Sequence, residues 1–248
     1  MSDLHVQEWG EGIRAVLVHG SISTGEENWA AQRPLADQGF RLIVPDRRGY
    51  GPEAKDVGED YETDAEDVDA LIGDGAHLVG HSYGAIAVLL AAAQRPDAVL
   101  SLTVVEPPAW QLALDNPAVT DVLEKAKQVF MRTELSDREF LEAFLGLVGG
   151  APVDQIPEEM LQQWTELVGP LRRGRMPSEA KIPMDRLRSA SFPKLVITGG
   201  HSPAFDAVCN ELAEGIGAER AAITGAGHAV QMLGRPFNET LLRLWRSV

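Results

Sequence analysis

Cysteine is almost absent from this chain, and long apolar runs are missing. The 248 residues include one cysteine, Cys209, which excludes an intramolecular disulfide and a cysteine-based zinc cluster. The longest apolar run, Gly84 to Ala93, is too short to span a bilayer. The first twelve residues carry Asp3, Glu8 and Glu11 without a basic region or an apolar stretch, unlike a secretory signal. These absences predict a soluble, cytoplasmic protein.

Positive charge is also scarce. The chain has 22 basic and 37 acidic side chains, and therefore a formal net charge of −15. Nucleic acids and anionic membrane surfaces both require a basic face, so neither is an expected partner. A hydrophobic fraction of 44% is ordinary for a globular protein, and the length suffices for a core without disulfides. A small-molecule substrate is the expected partner, whereas composition leaves the oligomeric state open.

Short apolar runs alternate with longer helical stretches. Because the runs are nearly continuous in hydrophobicity, they are typical of parallel strands covered on both faces. The pattern predicts an α/β fold with a mostly parallel sheet flanked by helices. The predicted strands are Ala15 to Val18, Arg41 to Val44, Ala76 to Val79, Leu100 to Val105, Lys194 to Thr198 and Arg220 to Thr224, with Val6 to Trp9 as an extra edge strand. The predicted helices are Asn28 to Gln38, Tyr61 to Ile72, Tyr83 to Gln94 and Phe237 to Arg246.

The alternation stops between two of these strands. Residues 107–192 show apolar stripes at helical spacing, and Ser136 with Glu139 forms a capping-box pattern at the start of one helix. We expect residues 1–106 and 193–248 to form the core, and 107–192 to form an all-helical cap over the carboxyl edge of the sheet, where such folds bind ligands. The ten acids between Glu53 and Asp74 lack calcium-loop spacing and are expected to form a solvated helix face.

The sequence Gly80-His81-Ser82-Tyr83-Gly84 follows a predicted strand and opens a helix of small apolar residues. This is the strand–turn–helix context in which G-x-S-x-G presents a nucleophilic serine. The tight turn strains the backbone at Ser82 and lifts its hydroxyl clear of the sheet. A serine also needs a base. His228, in the glycine-rich loop after the last predicted strand, is the candidate, whereas His77 and His81 are expected to be packing residues.

These segments together resemble the α/β-hydrolase superfamily over nearly the full chain. The matching elements are His19-Gly20-Ser21, Asp46 to Gly51, Gly80 to Gly84 and Gly227-His228, in that order. The resemblance implies an oxyanion hole formed by the backbone N–H groups of Ser21 and Tyr83. It also implies that the Asp46 to Gly51 segment is structural, with its Asp and Arg paired locally. No metal or organic cofactor is implied.

The chain departs from that family at the triad acid. The family usually carries an aspartate three positions after the glycine that ends the penultimate strand, but Ser202 stands there. Glu106, at the end of the preceding strand, is our preferred acid, because some family members carry theirs after that strand. Asp206 is the alternative, and a dyad without an acid is a third.

Several activities fit this scaffold. Ser82 and His228 favour a serine hydrolase that cleaves a small carboxylic ester, lactone or thioester through an acyl-enzyme, and a roofed apolar pocket suits a hydrophobic substrate. A hydroxynitrile lyase, C–C hydrolase or cofactor-free oxygenase is an alternative, as is a non-catalytic small-molecule-binding homologue. Epoxide hydrolases and haloalkane dehalogenases are disfavoured, because their elbow nucleophile is an aspartate. The aromatic residues expected near the mouth of the pocket are Trp29, Trp110, Phe130, Phe144 and Trp164.

Overall fold

A seven-stranded sheet organises the computed structural model, which describes residues 4–52, 56–149 and 152–248. The strands are β1 (Val6–Trp9), β2 (Ile13–Val18), β3 (Phe40–Pro45), β4 (Ala76–His81), β5 (Val99–Val105), β6 (Lys194–Thr198) and β7 (Glu219–Ala222). Their order is β1-β3-β2-β4-β5-β6-β7. The β1 strand pairs antiparallel with β3, and the other pairings are parallel. The predicted α/β class, its mostly parallel sheet and its edge strand are confirmed.

Helices cover both faces of the sheet. They are α1 (Gly25–Trp29), α2 (Tyr61–Ile72), α3 (Tyr83–Gln94), α4 (Pro117–Met131), α5 (Asp137–Val148), α6 (Glu158–Glu166), α7 (Val168–Arg173), α8 (Met184–Ser189), α9 (Pro203–Ile216) and α10 (Arg235–Trp245). Val16 and Leu78 point to the face covered by α2, α3 and α9, while Leu17 and Val79 point to the face covered by α10. Burial on both faces explains why the strands read as continuous apolar runs.

The first predicted helix is wrong in type, and one aromatic residue is misplaced. Instead of one α-helix over Asn28 to Gln38, α1 ends at Trp29 and a 3-10 helix follows over Ala30–Gln38. Pro34 lies inside that segment, where it cannot donate an α-helical hydrogen bond.

Trp29 is fully buried against Phe237 under the sheet, so it does not lie near the pocket mouth. Its apolar surface is better buried in the core than at the mouth.

Helices α4 to α8 all lie between β5 and β6. Helix α5 begins with the predicted capping box, in which Ser136 and Glu139 each accept a hydrogen bond from the other's backbone N–H. The apolar positions from Met160 to Leu171 are divided between α6 and α7, which meet at Leu167. The division into a core and a cap at residues 107 and 192 stays a prediction.

No helix in the described parts of the chain is long and apolar enough to cross a membrane.

The acid-rich segment is not simply a solvated face. Glu59 and Asp64 are buried and both bind the guanidinium of Arg47. Asp67 is buried too and binds Arg48. A buried carboxylate needs a charged partner, so the expected solvated face is wrong for these three acids. Glu53, where the segment begins, lies outside the described residues.

Candidate active site

Ser82 occupies a strained turn between β4 and α3. Its backbone has φ 52° and ψ −123°, a conformation that a non-glycine residue rarely adopts. The neighbouring glycines are required by close contacts. A Cβ atom at Gly80 would lie 2.6 Å from the Gly84 carbonyl oxygen, and one at Gly84 would lie 2.3 Å from that of His19. The turn leaves Ser82 lining a cavity, although its neighbours in the sequence are buried.

His228 lies in the loop after β7, close to this turn. Its backbone carbonyl accepts a hydrogen bond from the His81 Nε2 atom at 3.0 Å, and the two imidazole centroids are 4.9 Å apart. Burial holds the pKa of His81 well below its ordinary value, so this ring is neutral. His81 thus fastens the His228 loop beside Ser82. Among the described residues, no hydrogen bond joins the Ser82 hydroxyl to His228.

The carboxylate that faces His228 belongs to Glu106. Its Oε2 atom lies 3.3 Å from His228 Nδ1, which donates, since a carboxylate can only accept. Its Oε1 atom accepts hydrogen bonds from the Thr198 hydroxyl at 2.7 Å and the Gly199 N–H at 2.6 Å. Glu106 is fully buried and, like Ser82, has a positive φ, 50°. The side chain is therefore held at both oxygens.

Burial and hydrogen bonding act in opposite directions on Glu106. Burial raises the pKa of its carboxyl group, but the hydrogen bonds and charge interactions with His228, Thr198 and Gly199 bring the pKa below its ordinary value. Glu106 is therefore an ionised acceptor at neutral pH.

Asp206, the alternative acid, lies in the first turn of α9 and does not bond to His228. Its Oδ1 atom is 2.8 Å from the Thr198 hydroxyl and 3.3 Å from Arg220. The Thr198 hydroxyl thus lies between Asp206 and Glu106, and its single hydrogen can be donated to one of them at a time. The structure therefore brings Glu106, and not Asp206, into contact with the candidate base.

The two candidate oxyanion-hole residues line the same cavity as Ser82. Tyr83 is the first residue of α3, where a backbone N–H has no partner within the helix. Its side chain points away, and its hydroxyl donates to the Arg175 carbonyl at 3.0 Å. The Ser21 hydroxyl donates to Glu59 at 3.0 Å, which holds this loop against the core.

Glu59 belongs to a buried network that the sequence analysis missed. Besides Ser21, it binds Arg47 and the Tyr50 hydroxyl. The Arg47 guanidinium also stacks over the Tyr83 ring, 4.5 Å from its centroid. The expected local pairing of Asp46 with an arginine of its own segment is wrong, because Asp46 binds His5 and the Gly25 N–H instead. The two candidate oxyanion residues therefore rest on one ionic network.

The cavity beside Ser82 is almost entirely apolar. It measures about 550 Å³, including its open mouth. Trp110, Phe130 and Phe144 line it as expected, whereas Trp164 packs in an apolar cluster of helices α4 to α7. The other apolar residues in its wall are Pro108, Val122, Ala126, Leu147, Val148, Leu171, Met176, Pro177 and Phe205.

The sequence analysis also missed His201, whose Nδ1 atom lies 3.7 Å from Glu106 Oε2. His201 follows β6 in a glycine-containing loop, as His228 follows β7. His228 was chosen because it lies in a loop at the carboxyl edge of the sheet, and His201 meets the same criterion. His77 lies in the core, where its ring stacks on Trp245.

Comparisons with known proteins agree with this architecture. An epoxide hydrolase of Caballeronia sordidicola is 37% identical over 112 residues, 41% of this chain and 34% of that protein. The dihydrolipoyllysine-residue acetyltransferase component of an acetoin cleaving system from Pseudomonas putida is 28% identical over 251 residues, 95% of this chain and 64% of that protein. The chain thus spans between one third and two thirds of the length of these curated relatives.

A solved structure described as "Est816 as an N-Acyl homoserine lactone degrading enzyme" has a TM-score of 0.75 and 26% identity, with 98% of each chain covered. The sequence profile described as "Alpha/beta hydrolase family" matches residues 15–240, from the first parallel strand to the last helix. Since this match covers most of the chain and includes the candidate site, the chain belongs to the α/β hydrolase family.

Proposed function

We propose that this protein is a serine hydrolase that cleaves a small carboxylic ester, lactone or thioester with an apolar acyl group. One observation carries the proposal: the strained Ser82 stands beside a loop whose histidine, His228, is bonded to the buried carboxylate of Glu106. A nucleophile next to a base that is itself oriented by an acid is the arrangement required for acyl transfer.

In the proposed reaction, the Ser82 hydroxyl attacks the substrate carbonyl carbon while His228 Nε2 takes the hydroxyl proton. The negative charge that develops on the carbonyl oxygen is held by the backbone N–H groups of Ser21 and Tyr83. His228 then gives its proton to the leaving oxygen or sulfur, and an acyl ester of Ser82 remains. Water, deprotonated by His228, attacks this ester and releases the carboxylic acid and free Ser82.

Glu106 supports this sequence by holding His228 with its Nδ1 protonated, so that Nε2 can accept. As His228 takes up a proton, the ionised Glu106 stabilises the positive charge. Its bonds to Thr198 and Gly199 keep the carboxylate in place throughout. Ser202, where the family usually has an aspartate, then has no part in the chemistry.

The cavity supports an uncharged substrate with an apolar acyl or aryl part. Its wall offers few polar groups other than Ser21 and Ser82, so a charged acyl group would lose its hydration without compensation. A lactone is among the favoured substrates, since the Est816 structure is described as that of an enzyme that degrades N-acyl homoserine lactone.

The test is hydrolysis of a short nitrophenyl ester by the wild type and Ser82→Ala. We expect kcat to fall at least about 10³-fold, because the covalent route is lost. Labelling of folded wild-type protein by a fluorophosphonate provides an independent readout of an activated serine. Wild-type activity in Ser82→Ala would overturn the assignment of the nucleophile.

Product analysis separates hydrolysis of an ester from the other chemistries of this scaffold. Parallel assays with an ester, a β-diketone and a cyanohydrin should show turnover of the ester alone. Turnover of only the diketone or the cyanohydrin would replace the proposal by C–C cleavage or lyase chemistry. Failure of labelling together with tight binding of a small ligand would indicate a binding protein.

A further inference from the structure

Two histidines converge on one oxygen of a buried carboxylate. Glu106 Oε2 lies 3.3 Å from His228 Nδ1 and 3.7 Å from His201 Nδ1. One ligand atom from each of the three residues lies within 4.8 Å of those of the other two. They come from the ends of three neighbouring parallel strands, β5, β6 and β7. The proposed triad uses His228, and leaves His201 without a role.

The hydrogen bonds of His201 determine which ring nitrogen has a free lone pair. Its Nε2 atom lies 3.0 Å from the Val148 carbonyl oxygen, which can only accept, so Nε2 carries the hydrogen. In the neutral ring, Nδ1 is then an acceptor. This atom is buried, has no hydrogen-bond partner among the described residues, and faces the Glu106 carboxylate. Two acceptors that face each other in a buried place are unfavourable unless a hydrogen-bond donor or a cation lies between them.

The two contacts to the Glu106 oxygen fit a divalent transition metal. Bonds of about 2.0–2.2 Å from Zn²⁺ to nitrogen and oxygen place neighbouring tetrahedral ligands about 3.3–3.5 Å apart. The two observed contacts to Glu106 Oε2 lie within a few tenths of an ångström of that range. The outer contacts also fit, because Val148 fixes the tautomer of His201 while Thr198 and Gly199 hold the other Glu106 oxygen.

We propose that Glu106, His201 and His228 form a binding site for Zn²⁺ or a similar divalent transition metal, and that the bound metal inhibits the enzyme. To bind the metal through Nδ1, His228 must change its tautomer, so that the ring hydrogen lies on Nε2 instead of Nδ1. The ring stays neutral, and no proton is gained or lost overall. His228 Nε2 then donates, and it can no longer accept the proton of Ser82. Metal binding is independent of the proposed function, whereas inhibition rests on it.

The test is titration calorimetry of the untagged, chelator-treated protein with zinc chloride. We expect one Zn²⁺ per chain. In His201→Gln the Kd should be at least about tenfold higher, because losing a hydrogen-bond partner of a ligand already weakens metal affinity by about that factor, and here a ligand itself is lost. Ser202→Ala, in the same loop but without a ligand atom, is the matched control and should bind as the wild type does. Magnesium chloride should give no binding, since Mg²⁺ prefers oxygen ligands.

Ester hydrolysis, measured relative to each variant's own zinc-free rate, gives the second readout. The zinc concentration for half-inhibition should rise in His201→Gln by the same factor as the Kd. Equal zinc affinity in the wild type and His201→Gln, or no zinc binding, would overturn the site. If the protein bound zinc through His201 but had no esterase activity, only the proposed function would be refuted. The variant Ser82→Ala should still bind zinc, because Ser82 is not one of the proposed ligands.

Discussion

At the scale of single residues, backbone strain marks the candidate site. Ile22, Ser82 and Glu106 are the described non-glycine residues with positive φ, at 52°, 52° and 50°. Each such conformation costs about 1–3 kcal/mol and persists only where the surrounding structure enforces it. All three residues lie just beyond strands or in loops at the carboxyl edge of the sheet, next to or within the proposed machinery. Strain is thus concentrated where the proposed chemistry requires fixed side chains.

The choice of triad acid leads to a paired prediction. In Glu106→Gln, the amide cannot stabilise a positive His228, so we expect kcat to fall by about 10²–10⁴-fold. In Asp206→Asn, which alters a carboxylate bound to Thr198 and Arg220, we expect a loss of less than about tenfold. Steady-state hydrolysis of the same ester measures both.

Circular dichroism and urea unfolding of both variants provide the control, since Glu106 is buried and a misfolded variant would lose activity for another reason. A folded Asp206→Asn variant with the larger loss would reverse the assignment and move the acid to α9.

At the scale of one strand, β4 combines the elbow with a buried histidine. His77 lies on the face opposite α3, stacked on Trp245 with ring centroids 5.0 Å apart, and its Nδ1 is 2.8 Å from the Ser101 hydroxyl. Burial lowers the pKa of His77 from 6.5 to about 4. Between these two pH values, the unfolded chain binds a proton that the folded chain does not. The free energy of unfolding therefore falls as the pH falls through this window.

Replacing this histidine should flatten the pH dependence. Between pH 6.5 and 4, the wild type should lose about 2–3 kcal/mol more of its free energy of unfolding than His77→Gln does. Urea unfolding at several pH values measures the difference, whatever the variant's stability at neutral pH. Parallel curves for the two proteins would contradict the burial argument.

At the scale of the whole molecule, the helices between β5 and β6 and the edge of the sheet together enclose the cavity. Phe130 and Phe144 come from α4 and α5, and Phe205 comes from α9, which follows β6. The size of the substrates that the enzyme accepts is therefore expected to depend on residues far from Ser82 in the sequence. Each methylene group buried in such a pocket contributes about 0.8 kcal/mol to binding.

Filling the cavity should shorten the preferred acyl chain. Ala126 lies in the wall on α4, and Ala126→Phe should lower kcat/KM for a nitrophenyl octanoate at least about tenfold relative to the acetate. Met131→Phe, an exposed change of similar character on the same helix, is the control and should leave the ratio unchanged. An equal ratio in Ala126→Phe and the wild type would show that the acyl chain does not occupy this cavity.

Local patterns along the chain determined much of the fold and part of the candidate site. Strand positions, the turn at Ser82 and the loop histidine followed from hydrophobic periodicity and from glycine spacing, because these depend on neighbours within a few residues. Tertiary structure alone decided which carboxylate faces His228, since Glu106 follows β5 and Asp206 lies in the first turn of α9, and only packing orients them. It also decided that Glu59 would be buried with Arg47 and that His201 would meet Glu106, because such contacts join residues far apart in sequence and leave no local periodicity.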